Sequence, residues 1–314
     1  MNSIKGFLKY VEIQTKIASL LPFLLGLFYV LYVYGQLNVI NTLLFFTSML
    51  FFDMATTALN NYIDIKTNGK QLQFSKKTAK RIFFILLILA MLAGLLLVLN
   101  TGLIVLFCGA LCFAVGIFYT FGPAPISRMP LGEIFSGFFM GFFIPFLVVY
   151  INAPGDSLVY FSLNNWVLQL WFNLEGLAKL FIITIPAICG IANIMLANNI
   201  CDVDEDIKVN RFTLPHYIGN KNALNLFAGL YYLSFAAVIL IAVFKILPLY
   251  VLLVLVTLFF VQKNIAVFRK LQSKEKTFAL SVQNLVLILL PFVVVMVIAL
   301  IIRYLNILWL VQKY

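Results

Sequence analysis

Long uncharged runs dominate this sequence and decide what it can fold into. The stretch "LFIITIPAICGIANIML", 180–196, holds no charged residue. A helix of roughly 20 apolar residues spans the ~30 Å hydrocarbon core of a bilayer, because it satisfies its backbone polar groups internally. Nine such runs follow one another: 17–34, 39–60, 82–99, 103–121, 131–151, 179–197, 224–244, 247–261 and 278–302. With 63% of residues hydrophobic and 11% charged, no soluble core of this size can hide so much apolar surface. The expected fold class is all-α, a polytopic membrane protein of nine transmembrane helices, with 1–314 as one transmembrane domain. Pro145, Pro186 and Pro291 fall inside spans, where neighbouring helices can satisfy the freed carbonyls.

Basic residues orient the bundle. With the N-terminus cytoplasmic and the C-terminus outside, all of the 22 Lys and Arg except Lys179, Lys245, Arg303 and Lys313 lie on the inner side, as the positive-inside rule demands. The net charge of +11 therefore reads as topology and attraction to anionic lipid, not nucleic-acid binding. No small-residue cleavage site follows the first apolar run, so it reads as a retained helix in the cell membrane. Cys108, Cys112, Cys189 and Cys201 show no metal spacing and no disulfide framework. The outer stretch "WVLQLWF" reads as lying in the membrane interface.

Three inner loops hold most of the remaining chemistry: "NNYIDIKTNGKQLQFSKKTAKR", "YTFGPAPISRMPLGE" and "NNICDVDEDIKVNRFTLPHYIG". The first and third open on the same phrase, Asn-Asn-x-x-Asp. Continued as a helix, Asn198, Asp202 and Asp206 line one face at intervals of about 6 Å, and Asn60, Asp64 and Asn68 repeat that spacing. Carboxylates crowded at a helix C-terminus repel one another and oppose the dipole, so a cation is expected to offset both. A hard divalent ion such as Mg²⁺ fits, with one or two carboxylates and a phosphate oxygen as ligands. Lys66, Lys70, Arg128, Lys208 and Arg211 stand nearby, and bases beside metal-binding acids point to a shared anion such as a diphosphate. One such cluster alone is ordinarily a solvated topology marker; two with one phrase, offset by 138 residues on one side, argue for a paired site. Asp53 reads as a helix–helix partner inside the bundle, with the cavity as the alternative, Glu133 as an anchor of the fifth span, Tyr119 as packing, and His216 as a lone loop histidine without a role.

Paired aspartate-rich motifs on cytoplasmic loops after the second and sixth of nine spans resemble the UbiA-type intramembrane prenyltransferases, over essentially the whole chain. Within that family the "YTFGPAPISRMPLGE" and "NNICDVDEDIKVNRFTLPHYIG" stretches are similar to the menaquinone branch, the 1,4-dihydroxy-2-naphthoate polyprenyltransferases. The resemblance implies a cytoplasmic-side cavity capped by loops, with Mg²⁺ as cofactor and a polyprenyl diphosphate and an aromatic acid as substrates. It places Asp64, Asn60, Asn68, Asn198, Asp202 and Asp206 at the metal, and Asn60, Asn61, Lys66, Arg128, Asn198, Asn199 and Lys208 at the diphosphate. Asp64, Asp202, Asp206, Arg128 and Tyr119 carry catalysis, with Tyr119 and Tyr62 offering π-faces to an allylic cation. The first motif departs from the family pattern: Asn61 replaces an acid, and Asn68, Gly69 and Lys70 stand where the last acid is usual. A transporter, the rival from another class, requires mid-span charges and broken-helix repeats, and mid-span charge is nearly absent. A prenyltransferase with another acceptor is the nearer rival; haem as acceptor is disfavoured by the single histidine.

Overall fold

A computed structural model describes residues 3–68, 74–122, 125–155 and 157–312. Among these residues nine helices are long and apolar enough to cross a membrane. A short helix, α1 (Ser3–Tyr10), leads into α2 (Ile17–Tyr34), α3 (Val39–Asn68), α4 (Lys76–Thr101) and α5 (Leu103–Thr120). The fifth crossing is composite: α6 (Gly132–Phe138), a π-helical turn (Phe139–Phe143) and α7 (Ile144–Tyr150). An antiparallel hairpin, β1 (Val159–Asn164) and β2 (Val167–Phe172), precedes α8 (Leu174–Lys208) and α9 (Leu214–Val243). The eighth crossing begins as a 3₁₀ segment (Leu249–Thr257) and continues as α10 (Leu258–Lys270), before α11 (Ala279–Gln312) closes the bundle.

Helices overrun the apolar stretches that announced them. Charge does not break a helix, so α3 continues through the first Asn-Asn-x-x-Asp phrase to Asn68 and α8 through the second to Lys208. The short eighth run is long enough because a 3₁₀ segment rises ~2.0 Å per residue rather than ~1.5 Å. The all-α expectation omits the hairpin. Asn165 and Trp166 both adopt positive φ at its two-residue turn, 49° and 63°, as a right-twisted hairpin requires. Trp166 is 99% exposed, and every residue of β2 is exposed.

Small residues set the helix spacing. A Cβ on Gly26 of α2 would lie 2.8 Å from the Pro145 Cα of α7. One on Gly141 in the π turn would lie 2.5 Å from the backbone of Ile188 in α8. Close backbone approach of this kind is how membrane helices gain dispersion contacts without a hydrophobic driving force. The main core gathers Leu21, Leu25, Val148, Ile183, Val238 and Phe292 from α2, α7, α8, α9 and α11, and a second one centres on Phe227, Tyr231 and Phe268.

Two polar ties fix α3. Lys16 and Asp53 form a buried ion pair, Nζ to Oδ1 2.6 Å, with side chains 7% and 17% exposed. Lys16 also donates to Thr57 Oγ1 (2.6 Å), and Ser19 donates to Asp53 Oδ2 (2.6 Å), so Asp53 joins α2 to α3 as expected. Nearer the N-terminus, Tyr10 donates its hydroxyl to the Ala58 carbonyl (2.8 Å). Burial, with Tyr62 adding to it, pushes that hydroxyl up to about 12, which keeps the proton on the donor.

Candidate active site

The polar end of α8 organises the site. Its continuous helix puts Asn198, Asp202 and Asp206 one turn apart on one face. Asp202 is partly open, its side chain 20% exposed, while that of Asp206 is 8% exposed. Arg211, just beyond the helix, pairs with Asp206 (Nη1 to Oδ1 3.5 Å), and its backbone N–H donates to the Asp206 carbonyl (2.9 Å). Asp206 Oδ2 is buried without a partner among the described residues. Lys274, from the turn between α10 and α11, donates to Asp202 Oδ2 (2.6 Å) and to Asn198 Oδ1.

The same Arg211 guanidinium ties three segments together. Its Nε donates to the Ser127 carbonyl (2.8 Å) and its Nη2 to Asn199 Oδ1 (3.5 Å). The Phe212 N–H donates to the Arg128 carbonyl (3.2 Å), so the loops before α6 and after α8 are stitched side by side. Asn199, 1% exposed, donates its amide to Glu133 Oε1 (2.9 Å), and Glu133 is 4% exposed at the start of α6. Carboxylate, amide, guanidinium and carboxylate thus follow in sequence from Glu133 to Asp206. Downstream, Pro215 stands in the first turn of α9, and Gly219 takes φ +76° where that helix breaks. The "TLPHYIG" stretch therefore encodes a helix start and a kink.

Beside this network lies a cavity of ≈ 570 Å³ between α3, α4, α5, α6 and the π turn. Asn60, Thr57, Asp53, Tyr119 and Ser136 line its polar end, and Phe45, Leu97 and Val105 its apolar depth. Ser136 donates to the Tyr119 hydroxyl (3.3 Å). Phe135, Phe139 and Phe143 line the wall as a ladder of near-parallel rings with centroids 5.9 and 5.1 Å apart. A Cβ on Gly132 would meet Tyr119 Oη at 3.1 Å, Met195 at 3.5 Å and Asn199 Nδ2 at 3.8 Å. Tyr119 and Met195 line the cavity, so its polar end adjoins the Asn199–Arg211 network.

The sequence-predicted residues divide into groups. Asn60 and Tyr119 face the cavity; Asn198, Asp202 and Asp206 share the face of α8; Lys208 ends that helix. Arg128 has no side-chain hydrogen bond among the described residues. Asn61 turns its amide to the Tyr10 carbonyl (3.0 Å) and Glu12 Oε1 (3.2 Å), contacts an aspartate could not donate. That is a physical reason for asparagine where the family pattern has an acid. Asn199, 1% exposed, faces Glu133 and Arg211. The side chains of Asp64, Lys66 and Asn68, and all of Lys70, lie outside the described residues. Among the described residues no three of His, Cys, Asp and Glu converge on one metal position. Lys274 and the Glu133–Asn199 contact were invisible in the sequence; Arg211 stood out only as a nearby base.

The bundle of membrane-crossing helices thus encloses an apolar cavity whose polar end adjoins clustered acids and bases. The UbiA prenyltransferase family model matches residues 19–288, and the chain belongs to that family of multi-pass membrane prenyltransferases. It is similar to the 1,4-dihydroxy-2-naphthoate octaprenyltransferase of Bacillus subtilis (strain 168), 26% identical over 238 residues, 72% of this chain and 70% of that protein. Among solved structures it resembles the apo UbiA homologue from Aeropyrum pernix K1, with a TM-score of 0.63, 18% identity, and 90% of this chain and 98% of that one covered. It also resembles the UbiA homologue from Archaeoglobus fulgidus bound to DMAPP and Mg²⁺, with a TM-score of 0.61, 12% identity, and 94% and 99% covered.

Proposed function

We propose that this prenyltransferase moves a polyprenyl group from a polyprenyl diphosphate to 1,4-dihydroxy-2-naphthoate, with loss of the acceptor carboxylate as CO₂, giving demethylmenaquinol. One observation carries the donor half: the apolar cavity that ends at Asn60 and Tyr119 adjoins the acid and base network around Asn199 and Arg211. A hydrocarbon tail would fill the cavity, and its diphosphate head would lie at the polar end, beside that network. The acceptor half rests on the likeness to the Bacillus enzyme and on the Y-T-F-G-P … L-G-E and N-N-x-x-D … T-L-P stretches.

The residues at the end of α8 fit a divalent cation. Their donors are hard oxygens, and the buried Asp206 Oδ2 lacks a partner among the described residues, a costly state that a ligated ion relieves. Asn198, Asp202 and Asp206, with Asp64, Asn60 and Asn68 from α3, would hold Mg²⁺. When bound, that ion supplies positive charge to the leaving diphosphate. Arg128, Lys66 and Lys208 would add charge at the same oxygens. Asn60, Asn61, Asn198 and Asn199 complete the set of residues assigned to the diphosphate, Asn61 and Asn199 also bonding the Tyr10 carbonyl and Glu133. The carbon–oxygen bond of the donor breaks with its electron pair leaving on the diphosphate. The cavity keeps water from the allylic cation, and the Tyr119 ring offers it a π-face. A ring carbon of the acceptor then forms the new bond, and release of CO₂ returns an electron pair to the ring.

The N-terminus and the site are placed on the cytoplasmic side, as the distribution of basic residues favours. The test is turnover by purified protein with Mg²⁺, a polyprenyl diphosphate and a panel of aromatic acids. Product mass and CO₂ release with 1,4-dihydroxy-2-naphthoate are expected. Turnover of another acid with none of that substrate overturns the acceptor assignment, and full turnover in EDTA overturns the metal.

A further inference from the structure

The α10–α11 turn carries no motif, yet it is built to place one charge. Thr277, 4% exposed, donates its hydroxyl to the Leu271 carbonyl (2.8 Å) and accepts from the Ser273 N–H (3.0 Å). The Phe278 N–H closes the turn on the Ser273 carbonyl (3.0 Å). From this knot Lys274 reaches across to α8, where its ammonium bonds Asp202 Oδ2 at 2.6 Å and Asn198 Oδ1. Phe278 lies beneath, its ring centroid 5.2 Å from Nζ. The ammonium therefore sits on two of the oxygens that the proposed function gives to Mg²⁺. Its side chain is 46% exposed, so it can leave without unpacking the core.

A single positive charge and a divalent one cannot share those oxygens without strong repulsion. Metal alone must displace Lys274 into solvent and gain nothing from the displaced amine. Metal arriving with a diphosphate finds the same amine able to donate to phosphate oxygens, as a strongly hydrated point charge on a flexible stem. We propose that Lys274 is a tethered counter-ion: it neutralises Asp202 in the resting enzyme and moves onto the diphosphate when metal and donor bind together. It is thereby a diphosphate-binding residue supplied by the turn before the last helix. The binding of metal and of diphosphate is coupled through it. This inference rests on the metal–diphosphate reading of the site.

The test is Mn²⁺ binding by electron paramagnetic resonance, with and without inorganic pyrophosphate, on the full chain in detergent and without turnover. In the wild type, pyrophosphate should tighten Mn²⁺ binding by about fivefold or more. Lys274→Met should bind Mn²⁺ alone more tightly than wild type and lose most of the enhancement by pyrophosphate. Lys274→Arg, which keeps a tethered cation and guards against a folding defect in the methionine variant, should retain the enhancement. Lys274→Met matching wild type in both arms, or Lys274→Arg failing with it, overturns the coupling while leaving the metal site intact. No Mn²⁺ binding by the wild type in either arm overturns the metal reading itself, and this inference with it.

Discussion

Replacing Arg211 separates the role of its charge from the role of its fork. Arg211→Lys keeps the positive charge but cannot bond Ser127, Asn199 and Asp206 at once. The 2.8 Å bond to the Ser127 carbonyl is charge-assisted, worth roughly 1.5–3 kcal/mol. The two 3.5 Å contacts are at the edge of bonding range and add little. Converted at about 1.4 kcal/mol per decade, loss of the fork predicts a drop in kcat/KM of roughly 10- to 150-fold. Arg211→Met also strips the cation from between Glu133 and Asp206. Asp206 is then left without the cation that faces it, so the drop should exceed that of Arg211→Lys. The assay is steady-state prenyl transfer, with the melting temperature of the detergent-solubilised protein as control. Arg211 joins loops to a helix end and not core to core, so melting should move by only a few degrees. Arg211→Met within threefold of wild type would refute the claim that this guanidinium organises the site.

Four further outcomes are expected. Lys16→Met leaves Asp53 buried without its partner and should lower stability by about 3–5 kcal/mol, whereas Lys16→Met with Asp53→Leu should recover most of the loss in a thermal melt; no recovery refutes the pairing. Gly141→Ala drives a methyl into the Ile188 backbone and should cost about 1–3 kcal/mol, while Gly109→Ala, with nothing within 4 Å, should melt like wild type. Asp64→Asn should slow prenyl transfer nearly as much as Asp202→Asn, since a neutral amide cannot offset the charge of a divalent ion; wild-type rates would remove the first motif from the metal. In a background lacking the four native cysteines, a cysteine at Ser75 or Asn210 should label from the cytoplasmic side and one at Trp166 from the outside; opposite labelling inverts the topology.

The crossings were legible because hydropathy reports the solvent directly, and the lipid-facing sides of α4 and α5 show it plainly in Leu92, Leu99 and Phe107. The i, i+4, i+8 face of Asn198, Asp202 and Asp206 was legible too, since it needs only that α8 continue to Lys208. What stayed hidden depends on which distant segments meet. Lys274 lies 72 residues from Asp202, and Glu133 lies 66 from Asn199; no local period marks either pairing. Asn61 stood out in the sequence only as an amide in place of an acid; that this amide bonds the Tyr10 carbonyl and the Glu12 carboxylate needs the fold. The hairpin escaped because "WVLQLWF" lacks the alternation that marks a strand with one buried face, and here the whole of β2 is exposed.

The length of α8 has a consequence for where the enzyme can work. Its 35 residues make a strut of about 52 Å, well beyond the ~30 Å of hydrocarbon it crosses. At one foot stands the hairpin with Trp166 and Trp171 exposed, at the other the carboxylates. Tryptophan prefers the headgroup level, so the hairpin fixes a datum plane and the strut sets the height of the opposite end above it. The bilayer then acts as a gauge. On the proposed function, a thicker membrane would bring the charged end down towards the depth of a donor's diphosphate, and a thinner one would leave it standing proud. Reconstitution in lipids of graded chain length should give a turnover maximum at one thickness, with the polar end of a single helix as the ruler.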